Sequence, residues 1–269
     1  MKIALIISTY NWPEALQLCL QSVMKQTVKP EEIIIADDGS TTSTKDIIER
    51  YRKISKRKIK HIWHEDKGFK LAEIRNKAIS EATADYIIQI DGDVILHPHF
   101  IQDHKSFAKQ NSFIKGRRLM IGKTKSENLL KQKSINVSFL SADVKMREHG
   151  IRIPFFNKIF ISREERSADG VMGSNMAFWK KDFVAVNGYD NSLKGWGAED
   201  KELAQRFVNL GMVKRKIKYG AIQYHIYHPQ CDKSKHDEQI KVIEDLKSSK
   251  KTTCENGLSE ISKDYHVYE

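Results

Sequence analysis

The segment Glu32-Ile33-Ile34-Ile35-Ala36-Asp37-Asp38-Gly39-Ser40 decides the fold of this chain. Its apolar residues follow one another without alternating with polar ones, which indicates a strand buried on both faces and therefore a parallel sheet. We predict the strand over Glu32–Asp37, and Gly39 and Ser40 favour a turn into a helix over about Thr44–Ile54. The segment thus predicts a buried parallel strand that ends in two carboxylates.

Strands and helices alternate on both sides of this segment. The neighbouring strands are predicted at Ile3–Ser8, Ile59–His64 and Tyr86–Ile90, and the neighbouring helices at Pro13–Lys25 and Leu71–Glu81. This repetition predicts an α/β fold with an open, mostly parallel, doubly wound sheet, whose ligands bind at the carboxyl ends of the strands. Polar residues stand at three such ends, namely Thr9–Asn11, Asp37–Ser40 and Asp91–Asp93.

The pattern weakens in the middle of the chain and returns later. A helix is predicted near Phe100–Lys109 and a strand near Ser112–Ile121, with basic, mostly helical material up to about Arg166. The later predictions are strands at Val171–Trp179, Val213–Tyr219 and Ala221–His225, and helices at Lys180–Val186, Glu199–Leu210 and Lys235–Ser248. We expect a single domain, with residues 251–269 as a loose tail.

The composition indicates a folded protein of a reducing compartment. The 269 residues are 40% hydrophobic and 30% charged, which excludes a disordered chain. No apolar run approaches the roughly 20 residues of a membrane-spanning helix. The apolar start, Lys2–Ser8, is too short for a signal peptide and predicts the first strand instead. Because Cys19, Cys231 and Cys254 form no spacing motif, we expect a cytoplasmic location.

The chain is strongly basic, with a formal net charge of +11 and basic clusters at Lys53–Lys60, Lys109–Lys133 and Lys214–Lys218. Such a surface attracts an anionic partner, unless the lysines are only a solvated face. No zinc pair, recognition helix or aromatic ribonucleoprotein motif is present, so no nucleic acid is expected. Peripheral contact with an anionic membrane at its inner face remains an option.

Two acidic segments carry candidate chemistry. In Asp91-Gly92-Asp93 the glycine lets the chain turn so that both carboxylates face one cleft, and carboxylate oxygens suit Mg²⁺ or Mn²⁺. Glu199 and Asp200 open a helix just after the turn Gly195-Trp196-Gly197, and a helix amino terminus stabilises carboxylates as anions. An ordinary acidic turn and simple complementation of the helix dipole are the alternatives.

The histidines of His225-Ile226-Tyr227-His228-Pro229 could complete a metal site. Imidazole suits Mn²⁺ better than Mg²⁺, so Mn²⁺ is the favoured ion. The alternative is that both rings simply pack at the end of a strand.

Asp37 and Asp38, at the end of the second predicted strand, could recognise the base of a bound nucleotide by a hydrogen bond. An aspartate there can accept the imide N–H of uracil, while cytosine would present a second acceptor and be rejected. Sequence does not distinguish Asp37 from Asp38, and helix capping by Asp38 or Ser40 is the alternative. Thr9, Tyr10 and Asn11 would flank the nucleotide, with Tyr10 able to stack on the base.

Taken in order, these segments resemble the family 2 inverting glycosyltransferases, whose fold is of the GT-A type. The matching residues are Ser8-Thr9-Tyr10-Asn11, Ala36–Ser40, Arg75-Asn76-Lys77-Ala78 and Asp91-Gly92-Asp93. The stretch from Asn187-Gly188-Tyr189-Asp190 through Gly195–Asp200 is similar to the carboxyl-terminal segment of the β-1,4-galactosyltransferases. The resemblance implies a nucleotide-sugar-binding half over residues 1–110 and an acceptor-binding, catalytic-base half over residues 111–250.

The resemblance also implies roles for single residues. Asp93 would ligate the metal with His228, and His225 falls where the galactosyltransferases carry a methionine. Asp91 would reach the ribose or a metal-bound water. Asp200 would be the catalytic base, with Glu199 beside it to bind an acceptor hydroxyl.

Two further residues complete the candidate site. Arg75 could pair with Asp91 or with the nucleotide, or be a surface arginine. Trp196, between Gly195 and Gly197, would offer an indole face on which a sugar could stack.

The combined interpretation is a metal-dependent, inverting glycosyltransferase that moves a sugar from a UDP-sugar to a glycan or glycolipid acceptor, in polysaccharide biosynthesis. A nucleotidyltransferase on a similar fold is one alternative. A non-catalytic module that binds nucleotide sugars or anionic surfaces is the other.

Overall fold

A computed structural model describes residues 1–153, 155, 164–193, 197, 199–229 and 236–269, with only the backbone described for residues 236–240. Within these ranges the chain forms two sheets and the helices around them. The helices are α1 (Pro13–Met24), α2 (Thr42–Ile54), α3 (Leu71–Ser80), α4 (Phe100–Phe107), α5 (Lys123–Gln132), α6 (Lys180–Ala185), α7 (Glu199–Asn209) and α8 (His236–Ser249).

The strands follow the predicted order, with several additions. They are β1 (Ile3–Thr9), β2 (Glu32–Asp37), β3 (Lys58–Trp63), β4 (Tyr86–Asp91), β5 (Val94–Leu96), β6 (Ser112–Lys115), β7 (Arg117–Ile121), β8 (Val144–Lys145), β9 (Asn175–Trp179), β10 (Val213–Lys216), β11 (Ile222–His225) and β12 (His266–Tyr268). Short 3₁₀ turns occupy Arg147–Gly150 and Leu258–Glu260.

The described part of the main sheet has eight strands in the order β10-β6-β9-β4-β1-β2-β3-β12. Strands β9 and β12 run antiparallel to their neighbours, and the other pairings are parallel. The predicted open, mostly parallel, doubly wound α/β sheet is therefore confirmed. A smaller sheet, β5-β11-β7-β8, lies beside it.

The main sheet is buried on both faces, as the unbroken apolar runs predict. The two faces of β1 alternate between separate cores, with Ile3, Leu5 and Ile7 in one and Ala4 and Ile6 in the other. The first core contacts α1 and α2, and the second packs under α3 and α7. Helix α7 is therefore fixed over the same face of the sheet as α3, which positions the acidic residues at its start.

One predicted strand is in fact two. Residues Ser112–Ile121 divide at Gly116 into β6, in the main sheet, and β7, in the smaller one. A Cβ at Gly116 would lie 2.2 Å from the side-chain Cγ of Asn175, so the glycine makes room for that amide. Asn175 Nδ2 then bonds the carbonyl oxygens of Arg117 and Ala221 and holds the two sheets together.

The prediction of a loose carboxyl-terminal tail is wrong. Strand β12 pairs antiparallel with β3 and forms the edge of the main sheet. Earlier in the same segment, the Asn191 amide donates to the carbonyl oxygen of Gly257, and the Asn187 amide donates to that of Cys254. These contacts tie residues 254–268 across the face that carries α3.

No helix among the described residues is long and apolar enough to cross a membrane.

Candidate active site

Asp93, His225 and His228 form a cluster that could hold a divalent metal ion. Antiparallel pairing of Val94 with His225, between β5 and β11, brings the three residues together. Asp93 Oδ2 lies 3.3 Å from Nε2 of each histidine, and the three ligand atoms all lie within 4.8 Å of one another. The structure therefore brings both candidate histidines, rather than one of them, to Asp93.

The polar atoms of this cluster fit a cation. Asp93 Oδ1 is buried and has no hydrogen-bond partner among the described residues, and the same holds for His225 Nδ1. A carboxylate and two imidazoles are a donor set that suits a divalent transition metal. Burial opposes ionisation of Asp93, but hydrogen bonds from His225 and His228 outweigh it and hold the pKa of that carboxyl well below its usual range.

Arg75 joins the two acidic segments. Its guanidinium donates from Nη2 to Asp91 Oδ1 at 3.0 Å and from Nη1 to Asp200 Oδ1 at 2.9 Å. Nη1 also lies 3.5 Å from Glu199 Oε1. Because Arg75 is only 1% exposed, it is not a surface arginine. Asp91 and the nucleotide were the two partners expected for it, and the contact with Asp91 is observed.

The charges around Arg75 are strongly coupled. Burial alone would lower the pKa of the guanidinium, but Asp200, Tyr189, Asp91 and Glu199 raise it above its usual range. The cation therefore stays charged in a buried place, where it stabilises carboxylates that would otherwise resist ionisation. Burial nevertheless raises the pKa of Asp91 to about 6, against the lowering effect of Arg75.

Asp200 is held by two donors. Its Oδ2 accepts a 2.7 Å hydrogen bond from the backbone N–H of Gly173, and its Oδ1 accepts a 2.9 Å hydrogen bond from Arg75. The Tyr189 hydroxyl oxygen lies 3.3 Å from Asp200 Oδ1, but its single O–H also has the nearer acceptor Gln89 Oε1 at 2.9 Å. Gln89 Nε2 in turn donates to Gly173 O at 3.0 Å, so Gln89 fixes the loop that holds Asp200.

Glu199 lies deeper than Asp200. Its side chain is 5% exposed, against 16% for Asp200. Burial and the nearby Asp200 raise the pKa of Glu199 to about 7, although Arg75 acts in the opposite direction. Its Oε2 accepts a 3.0 Å hydrogen bond from the Gly197 N–H. Asp200 is therefore the more accessible carboxylate of the pair.

The neighbouring aspartates at the end of β2 differ in their surroundings. Asp37 is 1% exposed, bonds His61 Nε2 at 2.8 Å and accepts from the Ser40 N–H at 2.8 Å, so it stabilises the turn. Asp38 bonds His64 Nε2 at 2.7 Å and accepts from the Lys70 N–H at 3.0 Å.

Helix capping by Asp38 or Ser40 is not observed. Thr41 occupies the cap position of α2, and its side chain makes no capping hydrogen bond. The Ser40 hydroxyl instead accepts a 2.9 Å hydrogen bond from the Asn11 N–H.

A buried lysine orients His64. Lys77 Nζ lies 3.2 Å from His64 Nδ1, 2.9 Å from Glu73 Oε1 and 3.3 Å from Asp264 Oδ1. Since the ammonium can only donate, Nδ1 accepts and Nε2–H donates to Asp38. Sequence reasoning missed His64 and Lys77 in this role, although a histidine at the carboxyl end of a predicted strand was a usable signal.

The end of β1 and the two residues after it lie beside Asp38, whose backbone N–H donates to Thr9 O at 3.0 Å. Thr9 is nearly buried, and Tyr10 is 53% exposed with its hydroxyl 2.9 Å from Asp66 Oδ2. Asn11 has a positive φ of 44°, and its Oδ1 accepts from the Thr41 N–H at 2.9 Å. Asn11 therefore joins the turn after β1 to the turn after β2.

The predicted sugar-stacking turn is only partly described. Gly195 and Trp196 lie outside the described residues. Gly197 adopts a positive φ of 110°, a conformation that favours glycine, and donates to Glu199 as given above.

A mostly parallel sheet with acidic residues at its carboxyl edge defines an α/β fold of the GT-A type. The Glycosyl transferase family 2 model matches residues 4–183, and the chain belongs to this family. A second model, the N-terminal domain of galactosyltransferase, matches residues 156–229.

Curated relatives are similar over much of the chain. Validoxylamine A glucosyltransferase of Streptomyces hygroscopicus subsp. limoneus is 27% identical over 218 residues, covering 76% of this chain and 47% of the relative. Chondroitin synthase of Escherichia coli is 26% identical over 240 residues, covering 83% of this chain and 34% of the relative. The chain thus spans a third to a half of these relatives.

Solved structures share the fold. S. aureus TarS has a TM-score of 0.62 at 17% identity, covering 93% of this chain and 41% of TarS. The mannosyltransferase PcManGT from Pyrobaculum calidifontis, in complex with GDP-Man and Mn²⁺, has a TM-score of 0.56 at 14% identity, covering 85% of this chain and 58% of that one. TarS residues 1–349 have also been solved with UDP-GlcNAc.

Proposed function

We propose that this protein is a metal-dependent, inverting glycosyltransferase that moves a sugar from a UDP-sugar to a hydroxyl of a glycan or glycolipid. The observation that carries the proposal is Arg75, which bonds Asp91 on one side and Asp200 on the other. The carboxylates next to the metal cluster and those of α7 therefore belong to one site. Membership of family 2 and the GT-A fold support the same activity.

Asp93, His225 and His228 would hold the divalent ion. A bound cation of this kind neutralises charge that builds up on a leaving diphosphate. The imidazoles favour Mn²⁺ over Mg²⁺, and the similar fold of PcManGT was solved with Mn²⁺. Asp91, two residues before the cluster, would accept a hydrogen bond from the ribose.

Asp200 would act as the general base. The Gly173 N–H and the Arg75 guanidinium donate to its two carboxylate oxygens and fix its direction. It would take the proton from the acceptor hydroxyl while that oxygen attacks the anomeric carbon from the side opposite the leaving group. A single displacement inverts the configuration. Glu199, deeper and partly protonated near neutral pH, would bind a second acceptor hydroxyl.

Asp38 would read the base of the donor. Its carboxylate accepts from the His64 Nε2–H and the Lys70 N–H, and an acceptor at this place suits the imide N–H of uracil. Tyr10, which is exposed beside it, would stack on the base. Trp196, with Gly195 and Gly197 on either side, would support the sugar or the acceptor. The acceptor would be a glycan or a lipid-linked glycan, and the lysine clusters would contact an anionic membrane at its surface.

The test is release of UDP. The protein would be incubated with Mn²⁺, an acceptor mixture and a panel of UDP-sugars and GDP-mannose, with Asp93→Ala and Asp200→Asn as controls. We expect UDP release with one UDP-sugar, loss of it in both variants, and an inverted anomeric configuration in the product by NMR. In a parallel assay with UTP and a sugar 1-phosphate, release of pyrophosphate would identify a nucleotidyltransferase, and a retained configuration in the sugar-transfer product would overturn the single-displacement mechanism.

A further inference from the structure

A group of cations lies on the same edge of the main sheet as the candidate active site. Lys115 ends β6 and Lys216 ends β10, and these strands run parallel to each other with Lys115 opposite Lys216. Both strands also run parallel to β4, because β9 is antiparallel to β4 and to β6. The carboxyl ends of β6 and β10 therefore lie at the edge where Asp91 ends β4.

The cations also lie on the same face of the sheet as Asp200. In β6, Phe113 belongs to the core under α3 and α7, and Lys115, two residues later, points the same way. Lys214 and Lys216 follow the same alternation in register with Phe113 and Lys115. The group thus shares a face and an edge with the general base.

The charge of this group is not balanced. Glu165 pairs with Lys214 at 3.3 Å and with Lys216 at 2.7 Å. The Lys115 ammonium and the Arg117 guanidinium have no hydrogen-bond or ion-pair partner within the described ranges, although Lys115 is half-buried.

The surroundings of Lys115 are unfavourable for a cation. Burial, with the nearby cations Lys216, Lys214 and Arg117, lowers the pKa of the ammonium to about 8, and Glu165 only partly opposes this shift. A Cβ at Gly170 would lie 2.9 Å from Lys115 Nζ, so the ammonium packs directly against this glycine. Glu165, the acidic residue that acts on Lys115, is already paired with Lys214 and Lys216, so a half-buried cation in this group is stabilised further by a bound anion.

The loop that carries Gly170 also reaches the general base. Gly170 touches Lys115, and Gly173, three residues later, donates its N–H to Asp200. Three residues span at most about 10 Å, which is within reach of a short oligosaccharide. The cations therefore lie a short distance from the point of transfer.

The order of strands separates this group from the donor. Along the sheet edge come β2, which is followed by Asp38, then β1, then β4 with Asp91, and then β9, β6 and β10. A nucleotide that spans from Asp38 to Asp93 leaves β6 and β10 on its far side, beyond the diphosphate. This side is where an acceptor would approach Asp200.

We infer that Lys115, Lys216 and Arg117 form a subsite for an anionic group of the acceptor, a carboxylate or a phosphate, one or more sugar units from the hydroxyl that is glycosylated. The inference rests on the proposed function and adds the chemical class of acceptor. Lys214, which is fully buried and bonds Asp169 O at 2.7 Å, positions the end of β10 beside the subsite.

The test compares three disaccharide acceptors that differ at one C6 position, which carries a hydroxymethyl, a carboxylate or a phosphate group. At saturating donor we expect KM for a charged acceptor to be roughly tenfold below that for the neutral one, the equivalent of about 1.4 kcal/mol. Added salt should reduce this difference. The better of the two charged acceptors identifies the natural anion, and equal KM values for all three acceptors would overturn the inference.

Lys115→Gln and Lys216→Gln assign the effect to these residues. Each should raise KM for the charged acceptor several-fold and leave KM for the neutral acceptor and for the donor unchanged, while the exposed Lys105→Gln serves as control. A rise in donor KM instead would assign the cations to the diphosphate and overturn the inference. The Lys216 side chain is 42% exposed, so we expect Lys216→Gln to fold and to provide the test even if Lys115→Gln does not fold.

Failure of the inference is distinguishable from failure of the proposed function. UDP release without acceptor tests the function alone, since donor hydrolysis does not use the subsite. If no acceptor turns over, NMR titration of the same three disaccharides measures binding directly. Tighter binding of the charged ones that Lys216→Gln removes supports the subsite, and equal binding of all three overturns it.

Discussion

The backbone N–H of Gly173 donates a 2.7 Å hydrogen bond to Asp200 Oδ2, and a Cβ at Gly173 would lie 2.1 Å from Asp200 Oδ1. The glycine is needed here because the carboxylate occupies the space of its missing side chain. The general base of the proposed reaction is thus positioned by a residue on another element, 27 residues earlier in the chain.

Gly173→Ala should therefore impair transfer without removing any functional group. The new methyl would push Asp200 away from Arg75 and the Gly173 N–H, and we expect kcat to fall by about 10²-fold, in the range of a lost general base. Donor affinity, measured by calorimetry with UDP and Mn²⁺, should stay near the wild-type value. Gly211→Ala is the control for loss of stability, since its φ of +91° strains any side chain while a Cβ there meets nothing within 4 Å. Equal kcat losses in both variants would mean that general loss of stability, not displacement of Asp200, is responsible.

Asp200→Asn should separate chemistry from binding. The amide keeps the size of the side chain but cannot accept the proton, so transfer should fall by roughly 10²–10⁴-fold, mainly in kcat. Binding of the UDP-sugar and Mn²⁺ should be unchanged, because those contacts lie on other residues. Glu199→Gln should cost less activity and raise KM for the acceptor. Near wild-type transfer by Asp200→Asn would leave Glu199 as the candidate base.

Glu199→Gln should also stabilise the fold at alkaline pH. The pKa of Glu199 is raised to about 7 in the fold from 4.5, so the folded protein binds a proton that the unfolded chain lacks between these values. Stability from this group therefore falls as pH rises from about 4.5 to 7, and Gln should recover up to about 3 kcal/mol above pH 7. Denaturant unfolding at pH 5 and pH 8 measures it. A Gln variant that gains no stability between pH 5 and pH 8 relative to wild type would contradict the shift.

Metal binding should depend on Asp93 and both histidines. Asp93→Ala should abolish activity and weaken nucleotide binding, and excess chelator should do the same to the wild type, with Mn²⁺ restoring activity. His228→Ala should weaken Mn²⁺ binding more than His225→Ala, by calorimetry of the protein with Mn²⁺ and UDP. Full activity in excess chelator would exclude the metal. The reverse ranking of the histidines would make His225 the main ligand.

Replacing Asp38 should weaken nucleotide binding, whereas replacing Asp37 should weaken the fold. Asp38→Ala should cost UDP affinity by about 1–3 kcal/mol, the usual penalty for an unsatisfied buried partner, and narrow the preference for uridine over cytidine diphosphate. Asp37→Ala should instead lower the melting temperature, because Asp37 holds His61 and the Ser40 N–H. Thermal unfolding and nucleotide titration of both variants check this. Loss of uridine preference in Asp37→Ala alone would reverse the assignment.

The first half of the fold was predictable because its strands are apolar throughout. The prediction for Glu32–Asp37 matches β2, and those for Ile3–Ser8 and Tyr86–Ile90 each stop one residue short of the observed strands. Burial on both faces leaves little freedom in such segments. The break at Gly116 was not predictable, since it depends on Asn175, which is distant in the chain.

The sequence predicted which residues belong to the candidate site better than it predicted which of them contact each other. Sequence placed Asp91, Asp93 and Asp200 at element ends, where ligands of such sheets bind. That Arg75 bridges Asp91 and Asp200 depends on α3 and α7 covering the same face of the main sheet, which no local pattern encodes. The same is true of Lys77 behind His64, because a lysine on a helix ordinarily faces solvent.

Strand β12 has a consequence for how the protein acquires its structure. Asp264, just before it, contacts Lys77 across 187 residues of sequence, and β12 itself closes the edge of β3. Contacts of such long range form slowly, so β3 has an unpaired edge until β12 has been synthesised and is open to association with other chains. Folding yield should therefore depend on chaperones that cover this edge until residues 264–268 arrive.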